Sequence, residues 1–232
     1  MTDLDFRRFD AMTFDCYGTL IDWETGIEHG LRAFLEPRDV RPAGDELLET
    51  FARSEAAAEA GPYLRYRDVL ARCAWEVGSA YGAEPTDAEI GAFAGSVGDW
   101  PAFPDSAEAL ARLHERFRLG VITNCDDDLF ASSNARLGVT FDWVITAQQA
   151  GAYKPSHRGF EMAFRRMDVP RERILHVAQS LFHDHVPAKE LGLTTVWVDR
   201  RHDRPGAGAT PPADATPDLV VPDMATLADL AA

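Results

Sequence analysis

The chain has 232 residues, enough for one large domain or a domain carrying an insertion, and its 46% hydrophobic and 26% charged residues are the balance of a globular protein. A net charge of −15 argues against a nucleic-acid surface or an anionic membrane partner, so any site for an anionic substrate has to be locally basic. No apolar run approaches the roughly 20 residues a membrane span needs. Cys16, Cys73 and Cys125 form no paired framework and Met1–Arg8 lacks the apolar core of a signal peptide, so free thiols and a cytoplasmic setting are expected.

After a polar lead-in over residues 1–10, Ala11–Phe14 is a short apolar run that predicts a strand. It stops at Asp15, and Gly18 marks a sharp turn before Leu20 and Ile21. Residues 22–98 then change character, being alanine-rich and acidic without a strand signal. Ile27, Leu31, Phe34 and Leu35 follow helical spacing up to Pro37; Leu47, Leu48, Phe51 and Ala52 mark a second helix, and apolar positions from Tyr63 to Tyr81 a third. Thr86 with Glu89 reads as a capping box opening a fourth. Asp99–Pro104 is the expected return hinge.

Strand and helix signals alternate from there. Asp105 opens a helix with Glu108 at its third position, followed by a strand at Leu119–Thr123, a helix over 127–137 and a strand at Phe141–Thr146. Residues 157–167 are helical, Ile174–Ala178 a strand, 184–191 a helix and Thr194–Val198 a strand. The proline-rich 201–217 stretch is expected to be a mobile loop, before a strand at Leu219–Val221 and a closing helix at Met224–Ala231. This alternation implies an α/β fold, a doubly wound parallel sheet with right-handed crossovers. The domain expectation is a core of residues 1–21 and 99–232 with an inserted helical cap of residues 22–98.

Open α/β sheets place their chemistry at the carboxyl ends of strands, and that is where Asp15 falls. Asp15-Cys-Tyr-Gly-Thr-Leu20 resembles the first motif of the haloacid dehalogenase superfamily, in the D-x-Y-G-T form of the type II 2-haloacid dehalogenases rather than the D-x-D-G-T of its phosphatases. Three later stretches agree in order and placement: Thr123-Asn124 after a strand, Lys154 in Ala-Tyr-Lys-Pro, and Gln179-Ser-Leu-Phe-His-Asp184 after a strand. What the resemblance implies is a Rossmann-like core with a helical cap, and a hydrolase acting on carbon–halide bonds. Asp15, Thr19, Lys154 and Asp184 would be catalytic, while Tyr17, Thr123, Asn124, Ser180 and a cap arginine, Arg65 in preference to Arg67, would bind substrate or halide.

The residues themselves fit that chemistry. A carboxylate attacking carbon splits one hard displacement into two easier ones through an ester. A halide leaves without needing a proton, so a tyrosine can stand two positions on, where a phosphatase needs an acid. Lys154 would keep Asp15 ionised, Asp184 would orient the hydrolytic water, and guanidinium suits a planar carboxylate. Small anionic 2-haloalkanoic acids would be the substrates, with no cofactor. The alternative is a Mg²⁺-dependent phosphatase with Asp15, the Tyr17 carbonyl and Asp184 as ligands. Dimerisation is common among the enzymes it resembles. Two departures stand out: Phe160 occupies a position where those enzymes carry tyrosine, and one extra residue precedes Asp184, bringing in His183 and His185, whose plainest reading is surface histidines on a turn. The lesser reading of Thr123-Asn124 is a helix N-cap at the acidic turn Asp126–Asp128, a role that could coexist with halide binding, and Cys16 and Cys125 read as small fillers beside the site.

Overall fold

The computed structural model describes residues 4–204 and 208–231. Six parallel strands form one sheet in the order β3-β2-β1-β4-β5-β6, with β1 at Ala11–Phe14, β2 at Arg118–Thr123, β3 at Trp143–Thr146, β4 at Ile174–Ala178, β5 at Thr194–Val198 and β6 at Leu219–Val221. β1 lies between β2 and β4, paired Ala11 with Arg118 on one side and with Ile174 on the other. All four of its residues are buried, as a strand covered on both faces must be. The chain leaves β1 toward β2 and later crosses back to β4, so the strand order reverses at the carboxyl end of β1. That reversal opens a crevice in a doubly wound sheet.

Four helices follow β1: α1 (Trp23–Leu35), α2 (Gly44–Glu59), α3 (Tyr66–Ala80) and α4 (Asp87–Gly95). The Thr86–Glu89 capping box forms at the start of α4. The four bury one another's apolar faces, as where the Phe51 ring meets Phe93 edge-on at 6.2 Å. The entry and exit of this block are stitched together. Asp22 N–H donates to the Pro101 carbonyl at 2.8 Å and Phe103 N–H to the Leu20 carbonyl at 3.0 Å. Trp100, from the expected hinge, crosses α1 at Gly26, where a Cβ would come within 2.3 Å of its ring, so only glycine admits this packing.

The remaining helices are α5 (Ser106–His114), α6 (Asp127–Leu137), α7 (Ala147–Ala150), α8 (Arg158–Arg166), α9 (Val186–Glu190) and α10 (Met224–Ala231). The alternation expected from the sequence is therefore present, with α7 an additional short turn of helix. Asp105 does precede α5, but its side chain does not cap it. Arg200 Nη1 donates to Asp105 at 2.9 Å, and the carboxylate also accepts the N–H groups of Met224 and Ala225, capping α10 from across the fold. A neighbouring cation and a second helix start outcompete the local hydrogen bond.

The 201–217 loop, of which residues 205–207 lie outside the described residues, is tethered rather than free at Arg201, Ala209 and Thr210. Arg201 is buried against Glu24 of α1 and Asp45 of α2, Ala209 N–H donates to Glu24 at 3.0 Å, and Thr210 Oγ1 to Gln179 at 3.3 Å. Charge pairing, invisible to a composition argument, holds a proline-rich segment here. All three cysteines are buried and free.

Candidate active site

Four loops converge at the carboxyl edge of the sheet. Asp15 directly follows β1, and its N–H extends the ladder to the Val177 carbonyl at 3.0 Å. Gly18, at φ +89°, takes a left-handed conformation open to glycine and turns the chain back, so that Thr19 Oγ1 donates to Asp15 Oδ2 at 2.9 Å. Thr19 also accepts the Gln179 N–H at 2.9 Å, tying the first motif to the fourth.

Lys154 arrives from the far side of β2, after α7, through a cis Lys154–Pro155 bond. Its ammonium is 3% exposed and makes three contacts, donating to Asp15 Oδ1 at 2.7 Å, Asp184 Oδ1 at 2.7 Å and the Ile122 carbonyl at 2.8 Å. Asn124, the residue after β2, holds the lysine backbone from both sides: its amide accepts the Lys154 N–H at 2.7 Å and donates to the Lys154 carbonyl at 3.1 Å. It caps no helix.

Two carboxylates thus share one buried cation, and their surroundings separate them. Asp184 has a second donor, His176, and lies well below the ordinary carboxylate range because Lys154 and His176 outweigh its burial. For Asp15, burial and the charge of Asp184 outweigh Lys154 and the Thr19 hydroxyl, so its pKa is raised. The same two carboxylates overcome burial at Lys154 and raise its pKa. Because the folded pKa of Asp184 is depressed, its ionisation stabilises the fold above the unfolded carboxylate value, and that contribution fades as pH falls.

His176 is the residue in contact with this centre that the sequence reading missed. It lies on β4 beneath the site, fully buried, with Nδ1 at 2.9 Å from Thr13 Oγ1 and Nε2 at 3.0 Å from Asp184 Oδ1. With the Thr13 hydroxyl donating to Nδ1, Nε2–H donates to Asp184 and fixes that carboxylate's rotamer. Phe160 stacks edge-on against the His176 ring at 5.0 Å, packing behind the site instead of lining it. We expect His176→Leu to lower kcat by up to about 10²-fold with KM little changed, because a misaimed carboxylate slows chemistry rather than binding. His176→Gln, which keeps a donor, should recover part of it. Unaltered kcat in His176→Leu would reject the positioning role.

The extra residue before Asp184 is accommodated by a π-helical turn, Leu181–His185, opened by the Ser180 hydroxyl, which accepts the His183 N–H at 2.9 Å. An insertion of one residue into a helix is what a π turn absorbs, and it rotates both histidines inward. Neither is a surface residue of the kind expected. His185 is fully buried with Nε2 2.9 Å from the Ala178 carbonyl, and His183 lines the pocket. Burial pushes both down to about 4, so both are neutral near pH 7.

A small cavity opens over these groups, lined by Asp15, Lys154, Asp184, Asn124, Ser180, His183 and Thr210 on the sheet side, Tyr17, Trp23 and Tyr66 on its walls, and Glu55 and Glu59 of α2 opposite. Tyr17 is both a packed aromatic and a wall. Its ring meets Trp100 edge-on at 5.7 Å, and its hydroxyl bonds to Ser133 at 3.0 Å and accepts from the Cys125 thiol. Burial pushes the Cys16 and Cys125 thiols up, Cys125 to about 12, which leaves them fillers rather than nucleophiles.

Two expected binding residues lie elsewhere. Thr123 does not line this cavity, and its buried hydroxyl makes no hydrogen bond among the described residues. Arg65 precedes α3 instead of standing on it, with its side chain 55% exposed and its guanidinium donating to Gln148 at 2.9 Å. Arg67 pairs with Asp128 at 2.9 Å. The reason is Asp126, whose buried carboxylate accepts the N–H groups of Tyr66 and Arg67 at 3.1 and 3.2 Å. This core aspartate caps α3, and its acidic neighbourhood draws both arginines away from the cavity.

A parallel sheet with a carboxylate–lysine–carboxylate centre at its switch point, set under a block of inserted helices, defines a class of hydrolase-like folds. A sequence model of the haloacid dehalogenase-like hydrolases matches residues 9–184, and the chain belongs to that family. It is 29% identical over 131 residues to an (S)-2-haloacid dehalogenase of Pseudomonas putida, spanning 55% of each chain. To a glyceraldehyde 3-phosphate phosphatase of Methanothermobacter thermautotrophicus it is 34% identical over 100 residues, 42% of this chain and 44% of that one. The chain thus spans about half the length of these curated relatives. The L-2-haloacid dehalogenase of Xanthobacter autotrophicus superposes with a TM-score of 0.78 at 21% identity, over 96% of this chain and 98% of that one, which is a likeness of fold.

Proposed function

We propose that this protein hydrolyses short 2-haloalkanoic acids to 2-hydroxy acids through an ester on Asp15. The observation that carries the reading is the bridging of Asp15 and Asp184 by one buried lysine at 2.7 Å to each, with Tyr17 where a phosphatase has its acid. An Asp15 oxygen attacks the carbon bearing halogen from the rear, forming the C–O bond as the carbon–halogen bond breaks, and halide departs past Asn124. Water then attacks the carboxyl carbon of the ester; Asp184, whose Oδ2 is buried without a hydrogen-bond partner, orients it and takes its proton. The alkoxide leaves with the proton that Asp184 took from water, giving the 2-hydroxy acid inverted once at carbon, and Asp15 is regenerated as a carboxylate when its own proton passes to solvent. Lys154 neutralises Asp15 and Asp184 in turn.

Residues 22–98 act in this reading as a cap over a core of residues 1–21 and 99–232, excluding water from the first step. The phosphatase alternative needs a cation between Asp15 and Asp184, where the Lys154 ammonium already sits, and an acid where Tyr17 bonds away from the substrate to Ser133. Both carboxylates are bonded to Lys154, and no group of three or more His, Cys, Asp or Glu side chains among the described residues is placed to hold a metal ion, so no step is routed through one.

The test is halide release from both 2-chloropropionate enantiomers and from haloacetates in the presence of EDTA, beside Mg²⁺-supported hydrolysis of p-nitrophenyl phosphate. Halide release from one enantiomer that survives EDTA is expected. Metal-dependent phosphate release alone would overturn the reading.

A further inference from the structure

A carboxylate-bearing substrate has to be gripped, and among the described residues lining the cavity the only cation is Lys154, already bonded to Asp15 and Asp184. In place of an arginine, α2 presents two glutamates. Glu55 and Glu59 are four residues apart and so share one helix face, which looks into the cavity. Glu55 is 4% exposed and accepts the Tyr66 hydroxyl at 2.8 Å. Glu59, half-buried at the end of α2, makes no hydrogen bond or ion pair among the described residues. Two ionised glutamates here would repel each other and any anion, so an unpaired carboxyl at this place is suited to hold its proton and donate it, as a buried carboxylic acid can do at neutral pH.

We propose that Glu59, with Glu55 behind it, is the specificity-determining group that binds the substrate's carboxylate, donating a hydrogen bond to it as an uncharged acid. This rests on the dehalogenase reading and changes what recognises the substrate. The titratable groups facing the pair are Tyr66 and Cys73 of α3, Tyr153 beside Lys154, and, across the cavity, Asp15, Lys154, Asp184 and His183. Burial raises Glu55 to about 7, with the Tyr66 hydrogen bond opposing it, while burial and the charge of Glu55 raise Glu59 well above the carboxylate range against the pull of Lys154. Substrate carboxylate binding is therefore favoured at low pH and lost as pH rises and the glutamates ionise.

The experiment is calorimetric binding of (S)-2-chloropropionate to Asp15→Asn, which cannot turn it over, from pH 6 to 9, with and without Glu59→Gln. We expect Kd to rise with pH in Asp15→Asn, toward tenfold per pH unit where Glu59 ionises, and to rise less steeply in the double variant, whose amide donates at every pH while Glu55 still ionises. Glu55→Gln, which can still accept the Tyr66 hydroxyl, should shift the rise to another pH. A flat Kd in Asp15→Asn would overturn the proposal, as would tighter binding of 3-chloropropylammonium than of 2-chloropropionate. Halide release by the unmodified enzyme reports separately on the reaction. Turnover with a pH-independent Kd refutes the role of Glu59 alone, whereas pH-dependent binding without turnover refutes the dehalogenase reading and leaves the acid–carboxylate contact standing.

Discussion

Asp15→Asn is expected to reduce halide release by about 10⁴-fold or more, since the amide cannot form the ester and Asp184, the other carboxylate on Lys154, is the group assigned to the water. The amide is nearly isosteric, and its oxygen can still accept from Lys154 or Thr19, so the variant should fold with a circular dichroism spectrum like that of the unmodified protein. An isotope experiment on the unmodified protein addresses the same bond. If water attacks the carboxyl carbon of an Asp15 ester, a single turnover in H₂¹⁸O leaves the label in the Asp15 side chain, and the first product carries oxygen from the protein. Label in the 2-hydroxy acid during that first turnover would mean direct attack by water, with Asp15 as a base, and would sink the covalent route while leaving the loss of activity unexplained by it.

The parts of this site that could be read from the sequence are those set by strand ends. Asp15, Asn124 and Asp184 each follow an apolar run closely, and a parallel sheet brings the carboxyl ends of β1, β2 and β4 together whatever the loops do. Lys154 follows β3 less closely, and only the motif around it, not periodicity, singles it out. What escaped is what depends on tertiary pairing. His176 sits inside a fully buried strand, where a histidine reads as filler until Asp184 is seen 3.0 Å away. Glu55 and Glu59 look like the polar face of an alanine-rich helix, because nothing local says that face meets a cavity. Arg65 is the converse case, a residue type well suited to a carboxylate but claimed by Gln148 and the acidic turn of α6. Thr210 lines the cavity with its hydroxyl bonded to Gln179 and its neighbour Ala209 bonded to Glu24, both distant in sequence. Side-chain roles follow from neighbours distant in sequence, and a single chain of residues carries no record of those neighbours.

Lys154→Met tests the electrostatic logic of the whole centre. The side chain keeps the volume and loses the charge, leaving Asp15 and Asp184 buried at 5% and 0% exposure with no cation between them. Removing one partner of a buried ion pair leaves an uncompensated charge, at a cost of about 3–5 kcal/mol. Activity should fall to background, because the carboxylates then take up protons and a protonated Asp15 is no nucleophile. The pH dependence gives the sharper outcome. Uptake of a proton by either carboxylate relieves the unpaired charge, so the gap in Tm between the unmodified protein and Lys154→Met should be widest near pH 8 and shrink toward pH 5. Adding Asp184→Asn to Lys154→Met should restore part of the stability, because one buried carboxylate is easier to keep neutral than two, while restoring no activity. A gap in Tm that is constant across pH would mean that Lys154 stabilises the fold by packing its methylene stem. The ammonium would then be a minor contributor to the centre that Asp15, Asp184 and His176 build around it.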